Sequence, residues 1–333
     1  GIPVILVVDA SAVAHSVAPL LYGFKNYDKN VNLKGAIFNN VNSESHYRFL
    51  KEACEDAGVV AMGYFPKNDK INIDSRHLGL SLSELESFKE NVSFVAEQLN
   101  NTVDIEELLK VTSTEKENIP VQANKPNNSS SDEDKKTVIA VAKDEAFNFI
   151  YRENIEHFRK EGIIKYFSPI KDEKLPEDTE LVYLAGGYPE LSLKELSDND
   201  SMKKSIKEYC ESGGKILAEC GGMMYLGNSL TSKEGKEYPM VGIFDYKTTM
   251  EPMKLKLGYR KAGIGGMELN GHEFHYSKCL NDNQTETVGK VVNARDEPVN
   301  AKIYKYKRTI ATYLHFYWGE MSFRNWLNIY DHD

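Results

Sequence analysis

A cysteine followed by two glycines carries the clearest chemical signal in the sequence. Cys220 ends the apolar run KILAEC, and Gly221 and Gly222 open a helical pattern. A strand-to-helix turn of this kind exposes a nucleophile at the carboxyl edge of a parallel sheet. Because the amides that begin a helix stabilise negative charge, we expect a thiolate at Cys220. The alternative is a buried cysteine that serves as a small apolar residue, and the flanking glycines favour the nucleophile.

Two other segments would supply the groups that a cysteine nucleophile needs. Gly186 and Gly187 follow another apolar strand pattern, and the amides of Gly187 and Gly221 would form an oxyanion hole. An ordinary glycine turn is the alternative. His315 ends the apolar segment TIATYLH and is the candidate base, with a packed histidine as the alternative. Together these features predict a cysteine amidase or acyl-transfer site.

These residues belong to the second of two regions in which strands and helices alternate. We assign residues 1–117 to the first region, 118–136 to a polar linker and 137–333 to the second region. The alternation predicts an α/β protein with two doubly wound domains on parallel sheets. Within the second region, residues 241–316 are richer in short β-like segments.

Hydrophobic periodicity predicts the individual elements. Strands are expected at 5–8, 33–39, 59–64, 138–141, 164–167, 181–185 and 215–219. Helices are expected at 12–23, 43–57, 146–161, 201–213 and 223–230, with polar helices up to residue 109 of the first region.

Composition limits the classes of function. The 333 residues carry 41 Lys and Arg against 50 Asp and Glu, a net charge of -9. A general nucleic-acid binder is excluded, since phosphate binding requires a basic surface. No apolar run reaches the roughly 18 residues that span a membrane. The four cysteines form no CxxC pair, which favours neither disulfides nor zinc. We therefore expect a soluble, cytoplasmic protein.

The second region resembles the class I glutamine amidotransferase domain of the cobyrinic acid a,c-diamide synthase family. The segments that carry the resemblance are VAKDEAFNFIY (141–151), LAGGYPEL (184–191), AECGGMMYLG (218–227), LGYR (257–260), GHEFHYS (271–277) and ATYLHF (311–316). The first region is similar in PVILVVDASA, GFKNYDKNVNLKGAIFNNV and DSRHLGL. The resemblance implies a flavodoxin-like amidotransferase domain, preceded by a P-loop-NTPase-like domain of the dethiobiotin synthetase type.

The resemblance implies a reaction at two sites. Cys220 would release ammonia from glutamine with His315 as its base, through a thioester. ATP and magnesium would activate the a- and c-acetate carboxylates of cobyrinic acid for amidation by that ammonia. The cationic and donor groups suited to the carboxylates of a corrinoid are Arg260, His272, His275 and Tyr276. Surface or structural roles are the alternative for each of these four residues.

The sequence departs from the family pattern in both regions. Position 317 is Tyr where many class I amidotransferases have Glu and many relatives have a second His, so no third member of the Cys–His site is named. No GxxxxGK[ST] motif occurs in the 333 residues, and the chain opens directly on an apolar strand. We therefore expect that an N-terminal segment with the P-loop is missing. Without that loop we expect that this chain alone does not bind ATP. The remaining candidates for the nucleotide, magnesium or substrate are Asp9, Asp28 and Asn39, with strand-end caps as the alternative.

Several alternatives stay open at this point. A nickel-sirohydrochlorin a,c-diamide synthase of the same family would have the same motifs, and a non-catalytic module that binds a tetrapyrrole or a partner would keep the fold. The expected partners are glutamine and a corrinoid or related tetrapyrrole polycarboxylate. A homodimer and the identity of any bound metal are left undecided.

Overall fold

The computed structural model describes residues 2–68, 85–113, 137–319 and 330. The chain forms two compact units, Gly1–Ser130 and Ser131–Asp333, and the boundary falls within the predicted linker. The linker itself and the family-like segment DSRHLGL lie outside the described residues.

The first unit is a three-stranded parallel sheet with helices. Its strands and helices are β1 (Pro3–Asp9), α1 (Ala18–Asn26), β2 (Asn32–Val41), α2 (Glu44–Ala57), β3 (Val60–Pro66), α3 (Leu85–Thr102) and α4 (Ile105–Thr112). The strands are hydrogen-bonded in the order β1-β2-β3, and both pairs are parallel. All three strands were predicted from their apolar runs.

The ends of α1 and α2 follow from their residues. The helix predicted at 12–23 instead begins at Ala18, after a short 3-10 turn, with a proline in its first turn. Proline is accepted there because the amide that it lacks would have no intrahelical partner. Ser43 caps α2 by accepting a hydrogen bond from the His46 amide, and Gly58 ends it with φ +64°. The helix then packs Leu50 and its neighbours into the core.

The second unit contains the remaining elements. They are β4 (Thr137–Ala142), α5 (Arg152–Glu161), β5 (Gly162–Phe167), β6 (Thr179–Leu184), α6 (Leu193–Asp198), α7 (Asp200–Glu211), β7 (Lys215–Glu219), α8 (Gly221–Leu226), β8 (Ser229–Thr231), β9 (Glu237–Pro239), β10 (Lys247–Thr249), β11 (Lys256–Ile264), β12 (Met267–His275), β13 (Lys278–Leu280), β14 (Lys290–Asn293), β15 (Ile303–Tyr306), β16 (Thr309–Thr312) and β17 (Leu314–Phe316).

The centre of the second unit is a six-stranded sheet in the order β15-β16-β7-β6-β4-β5. Every neighbouring pair is parallel except β15 with β16. If the five parallel strands β4, β5, β6, β7 and β16 are numbered 1 to 5 along the chain, their order in the sheet is 2-1-3-4-5. This is the strand order of flavodoxin-like sheets. Buried apolar clusters line the sheet, which explains why its strands read as nearly continuous apolar runs. The carboxyl ends of β4, β6 and β7 meet at one edge, where such folds bind ligands.

The β-rich character predicted for residues 241–316 is confirmed. Two four-stranded sheets form there, β13-β10-β8-β9 and β14-β11-β12-β17. In the second of these sheets β12 pairs with β17, which places His272 directly opposite His315. The short β17 follows β16 of the central sheet after a single residue, so this register holds His315 near the central sheet.

Two predicted helices are shorter than expected. Residues 143–151 form a loop, because the Asp144 carboxylate accepts hydrogen bonds from the amides of Ala146 and Phe147 at 2.9 and 3.1 Å and because Phe149 pairs with Gly186. The helix predicted at 223–230 ends at Leu226 and gives way to β8. No helix of the described ranges is long and apolar enough to cross a membrane.

Candidate active site

The turn between β7 and α8 holds Cys220 in a strained backbone conformation. Its φ of 45° and ψ of -103° are unusual for a residue with a side chain. The two glycines that follow have no room for a Cβ. One built on Gly222 would lie 2.2 Å from the carbonyl oxygen of Leu184, and one built on Gly221 would lie 2.9 Å from Cδ of Pro189. The sharp turn predicted from the sequence is therefore present, and packing against β6 requires its glycines.

The loop that follows β6 lies between this turn and an imidazole. A Cβ built on Gly221 would be 3.1 Å from the backbone nitrogen of Gly187, and one built on Gly186 would be 2.3 Å from Cε1 of His315. Gly187 has a φ of +155° and lies so close to Ala146 that a Cβ would meet its carbonyl oxygen at 2.1 Å. The fold thus brings together all four residues predicted for the amidase chemistry, Cys220, His315, Gly187 and Gly221.

His315 is buried in an aromatic environment on β17. Its ring stacks on His272 with centroids 4.8 Å apart and 14° between the planes, and Phe149 meets it edge-on at 4.6 Å. Its Nδ1 atom has no hydrogen-bond partner among the described residues. Burial and the nearby His272 and His275 lower the pKa of His315 to about 3. The imidazole is therefore neutral and able to accept a proton.

The expected thiolate at Cys220 is wrong for this structure. The side chain is 6% exposed. Burial raises the pKa of the thiol far above its ordinary value, and the negative charge of Glu190 raises it further. The Gly221 amide opposes this shift but does not overcome it. The sequence pattern identified the favourable amide, whereas the burial and the acidic neighbours arise only from the tertiary structure.

Glu190 is a site residue that the sequence analysis missed. It lies in the 3-10 turn Pro189–Leu191, next to the proline that packs on Gly221. Burial raises the pKa of its carboxyl to about 7. The signal for it was present in GGYPEL, where an acid follows the glycine loop at a fixed distance, but acidic residues in turns are too common to single it out.

His272 is the only one of the four predicted corrinoid-binding residues that contacts the candidate base. Its Nδ1 lies 2.9 Å from the hydroxyl of Tyr151, and burial lowers its pKa. The hydrogen bond and the stacking with His315 give it a place beside the amidase site. Tyr276 is partly buried against the main core cluster.

In this structure Arg260 and His275 bind a carboxylate of their own chain. Both bind the same buried carboxylate, that of Glu273. The Nε and Nη2 atoms of Arg260 lie 3.0 and 2.9 Å from Oε2, and Nε2 of His275 lies 2.9 Å from Oε1. The second ring nitrogen of His275 lies 2.8 Å from the carbonyl of Ser277. Arg260 does bind a carboxylate, as its chemistry predicts, but it does so through one oxygen, and the carboxylate belongs to its own chain.

The three residues predicted for the synthetase half do not form one site. Asp9 pairs with Asn39 in the sheet register, so both lie at the carboxyl edge of the three-stranded sheet. Asp28 precedes β2, whose first residue Asn32 pairs with Pro3. Asp28 therefore lies at the opposite edge, roughly 20 Å away at about 3.3 Å per strand residue. The sheet of the first unit therefore does not bring Asp28 and Asp9 together.

Asp9 is held by local hydrogen bonds. Its Oδ1 atom accepts from the Ser11 amide at 2.9 Å and from Nδ2 of Asn40 at 3.0 Å, and these bonds lower the pKa of the carboxyl. Asn40, with a φ of 58°, is the residue that contacts Asp9, whereas the predicted Asn39 is exposed. In the described part of the chain no three His, Cys, Asp or Glu side chains cluster as a metal site would require.

Comparison with known proteins agrees with the fold and the site. A family model described as the CobB/CobQ-like glutamine amidotransferase domain matches residues 138–323. Cobyrinate a,c-diamide synthase of Caldanaerobacter subterraneus subsp. tengcongensis is 38% identical over 95% of this chain and 71% of its own length. The enzyme of the same name from Limosilactobacillus reuteri is 38% identical over 98% of this chain and 74% of its own length.

A third relative and one solved structure extend the comparison. Cobyrinate a,c-diamide synthase of Fusobacterium nucleatum is 41% identical over 84% of this chain and 65% of its own length. A solved glutamine amidotransferase of Thermotoga maritima is 13% identical over 54% of this chain and 76% of its own, with a TM-score of 0.37, too weak a similarity to assign function.

The second unit, with its flavodoxin-like sheet and its nucleophile turn, is a glutamine amidotransferase domain. The chain as a whole belongs to the cobyrinate a,c-diamide synthase family, whose members are ligases that use glutamine as the amido donor. The resemblance noted in the sequence is confirmed.

Proposed function

We propose that the second unit releases ammonia from glutamine through Cys220 and His315, for the amidation of the a- and c-acetate carboxylates of cobyrinic acid. The observation that carries the proposal is the strained turn at Cys220, which packs against a glycine loop that also contacts the imidazole of His315. The names of the relatives support cobyrinate as the acceptor rather than nickel sirohydrochlorin.

Proton transfer accompanies the attack on glutamine, because both the thiol and the imidazole are neutral at rest. The Cys220 sulfur bonds to the amide carbon while its proton passes to His315. The imidazolium then donates that proton to the departing nitrogen, so that ammonia leaves and a thioester remains. Water then attacks the thioester carbon as its proton passes to His315, the carbon–sulfur bond breaks to release glutamate, and His315 returns the proton to the Cys220 sulfur. Burial makes each charged intermediate costly, which favours synchronous transfer.

The oxyanion that forms on the amide carbon requires hydrogen-bond donors. A Cβ built on Gly221 would lie 3.1 Å from the Gly187 nitrogen, and in the described residues neither amide is seen to donate a hydrogen bond to a backbone carbonyl. Donors already fixed in place stabilise a developing charge strongly, by roughly 100- to 1,000-fold in rate for one donor. This pair of amides is the oxyanion hole in our proposal.

Activation of the cobyrinate carboxylates by ATP belongs to the family reaction. Of the residues expected to serve this step, Asp9 and Asn39 lie together at the carboxyl edge of the sheet in the first unit, whereas Asp28 lies toward its other edge. We therefore assign no step through ATP or magnesium to these residues.

Glutamate release from glutamine by the purified chain tests the amidase. Cys220→Ser should abolish it, since only the thiol forms the thioester, and His315→Ala should lower it by roughly 100-fold or more because it removes the general base. The matched control is Cys279→Ala, a partly buried cysteine outside the turn, which should keep the wild-type rate. Glutamate release by Cys220→Ser at the wild-type rate would contradict the proposal, and so would a wild-type chain that releases none.

A further inference from the structure

Three polar side chains are buried in the apolar cluster behind the candidate active site. Asn154 lies on α5, Tyr183 on β6 and Glu219 at the end of β7, and they are 0%, 1% and 1% exposed. Their neighbours are apolar, among them Phe158, Leu314 and Phe316. Burying an amide or a carboxyl in such surroundings is unfavourable unless each group is hydrogen-bonded. The hydrogen-bond partners of these three side chains therefore show what role the buried polar groups have.

Asn154 binds the chain immediately after His315. Its Nδ2 donates to the carbonyl of Phe316 at 2.8 Å, and its Oδ1 accepts from the amide of Trp318 at 2.8 Å. The side-chain amide thus pairs with β17 as a neighbouring strand would. On its opposite side β17 pairs with β12. The backbone that carries His315 is consequently held from both sides.

Glu219 connects the same backbone to the nucleophile. It directly precedes Cys220, and its Oε2 accepts from the Tyr183 hydroxyl at 2.8 Å. Burial raises the pKa of the carboxyl to about 8, while the Tyr183 hydroxyl and the Phe316 amide oppose this shift. The residue before the nucleophile is therefore joined to the residue after the base.

We propose that Asn154 and Glu219 are positioning residues that fix His315 relative to Cys220. They act through the Phe316 backbone and do not touch the substrate, so they replace the orienting side chain that position 317 does not supply. This inference rests on the proposed amidase function. It also defines how Glu219 acts, as a hydrogen-bonding group held by the Tyr183 hydroxyl and not as a charged member of a catalytic triad.

Kinetic measurements on three variants test the inference. Asn154→Ala should lower kcat for glutamate release by about 10- to 100-fold with KM little changed, because small displacements of a catalytic group have effects of that size. Glu219→Leu should do the same. Glu219→Gln should restore activity close to the wild type, because the amide can still hydrogen-bond and carries no charge. A charged triad member would instead be inactivated by the Gln substitution, and that result would overturn the inference.

Hydrogen exchange measured by mass spectrometry gives a readout that does not depend on activity. Residues 314–318 should exchange faster in Asn154→Ala and Glu219→Leu than in the wild-type chain, whether or not glutamine is hydrolysed. The control is Thr309→Val on β16, which removes another buried hydrogen bond, between Thr309 and Cys210 at 3.1 Å, and should leave both kcat and this segment unchanged. Unchanged exchange in Asn154→Ala and Glu219→Leu would overturn the inference. A wild-type kcat in these two variants would overturn it as well.

Discussion

Glu190, which follows the proline that packs on Gly221, makes ionisation of Cys220 less favourable. The carboxyl has its pKa raised to about 7 by burial, and the thiol has its pKa raised by burial and by that carboxyl. A substrate that displaces water and brings its own charges would change this balance at the moment of binding. The reactivity of the nucleophile in the free protein is therefore set as much by Glu190 as by the helix.

Replacing Glu190 by Gln should make Cys220 more reactive. The substitution removes a negative charge beside the thiol, so the pKa of Cys220 falls and the thiolate fraction rises. Alkylation by iodoacetamide at pH 8, where Glu190 is ionised in the wild type, should accelerate on the order of a few-fold. Glu195→Gln, which removes an exposed carboxylate on α6, is the control and should have no effect. Slower alkylation of the Glu190 variant would contradict this account.

At the scale of elements, the turn from β7 into α8 depends on contact with β6. Gly222→Ala places a methyl group 2.2 Å from the carbonyl of Leu184, which is backbone and cannot move aside. We expect the thermal midpoint to fall and glutamate release to drop by at least about 100-fold, as the nucleophile is displaced.

The control for this substitution is Gly23→Ala. Gly23 lies in α1 with no atom within 4 Å of a built Cβ. Alanine should stabilise that helix by about 0.5–1 kcal/mol and leave glutamate release unchanged. Equal thermal midpoints for Gly222→Ala and the wild type would show that the turn tolerates a side chain.

The sequence predicted elements well where one local pattern decided them. The central strands read as continuous apolar runs because both of their faces are buried, and the glycines after Cys220 indicated a sharp turn that the structure contains. The helix predicted at 146–161 begins only at Arg152. Before it, Asp144 caps a turn and Phe149 pairs with Gly186, 37 residues along the chain, and such distant pairing leaves no local signal.

The electrostatics of the candidate site could be predicted least. Arg260 and His275 have the chemistry to bind a substrate carboxylate, and only the β11–β12 register shows that Glu273 occupies both. Burial reverses the expected ionisation of Cys220 for the same reason, since it depends on several elements packed together. Residue types and spacing thus identify which groups are present, while their charge states follow from the tertiary structure.

At the scale of the whole molecule, buried acids make the second unit less stable as pH rises. The pKa of Glu219 is about 8 in the folded chain and near the ordinary 4.5 when unfolded. A raised carboxyl pKa stabilises the fold fully below pH 4.5, and this stability is lost as pH rises toward 8. Glu190 acts in the same direction up to about pH 7.

Glu219→Gln should remove part of this pH dependence. In the wild type each pH unit between 5 and 8 should lower the folding equilibrium constant by up to about tenfold through Glu219 alone. The variant cannot ionise at this position, so denaturant unfolding at pH 5 and pH 8 should differ less for the variant than for the wild type. An identical difference for the two proteins would mean that Glu219 is not protonated at neutral pH.

The substitution Gly186→Ala would show whether activity depends on how Cys220 and His315 are arranged, and not only on their presence. A built Cβ there lies 2.3 Å from Cε1 of His315, so Gly186→Ala must push the imidazole away while leaving both Cys220 and His315 in the chain. Glutamate release should stop, whereas Cys220 should still be alkylated. Such a protein would form a thioester slowly or not at all, and would retain bound glutamine for direct observation of the complex before any bond is broken.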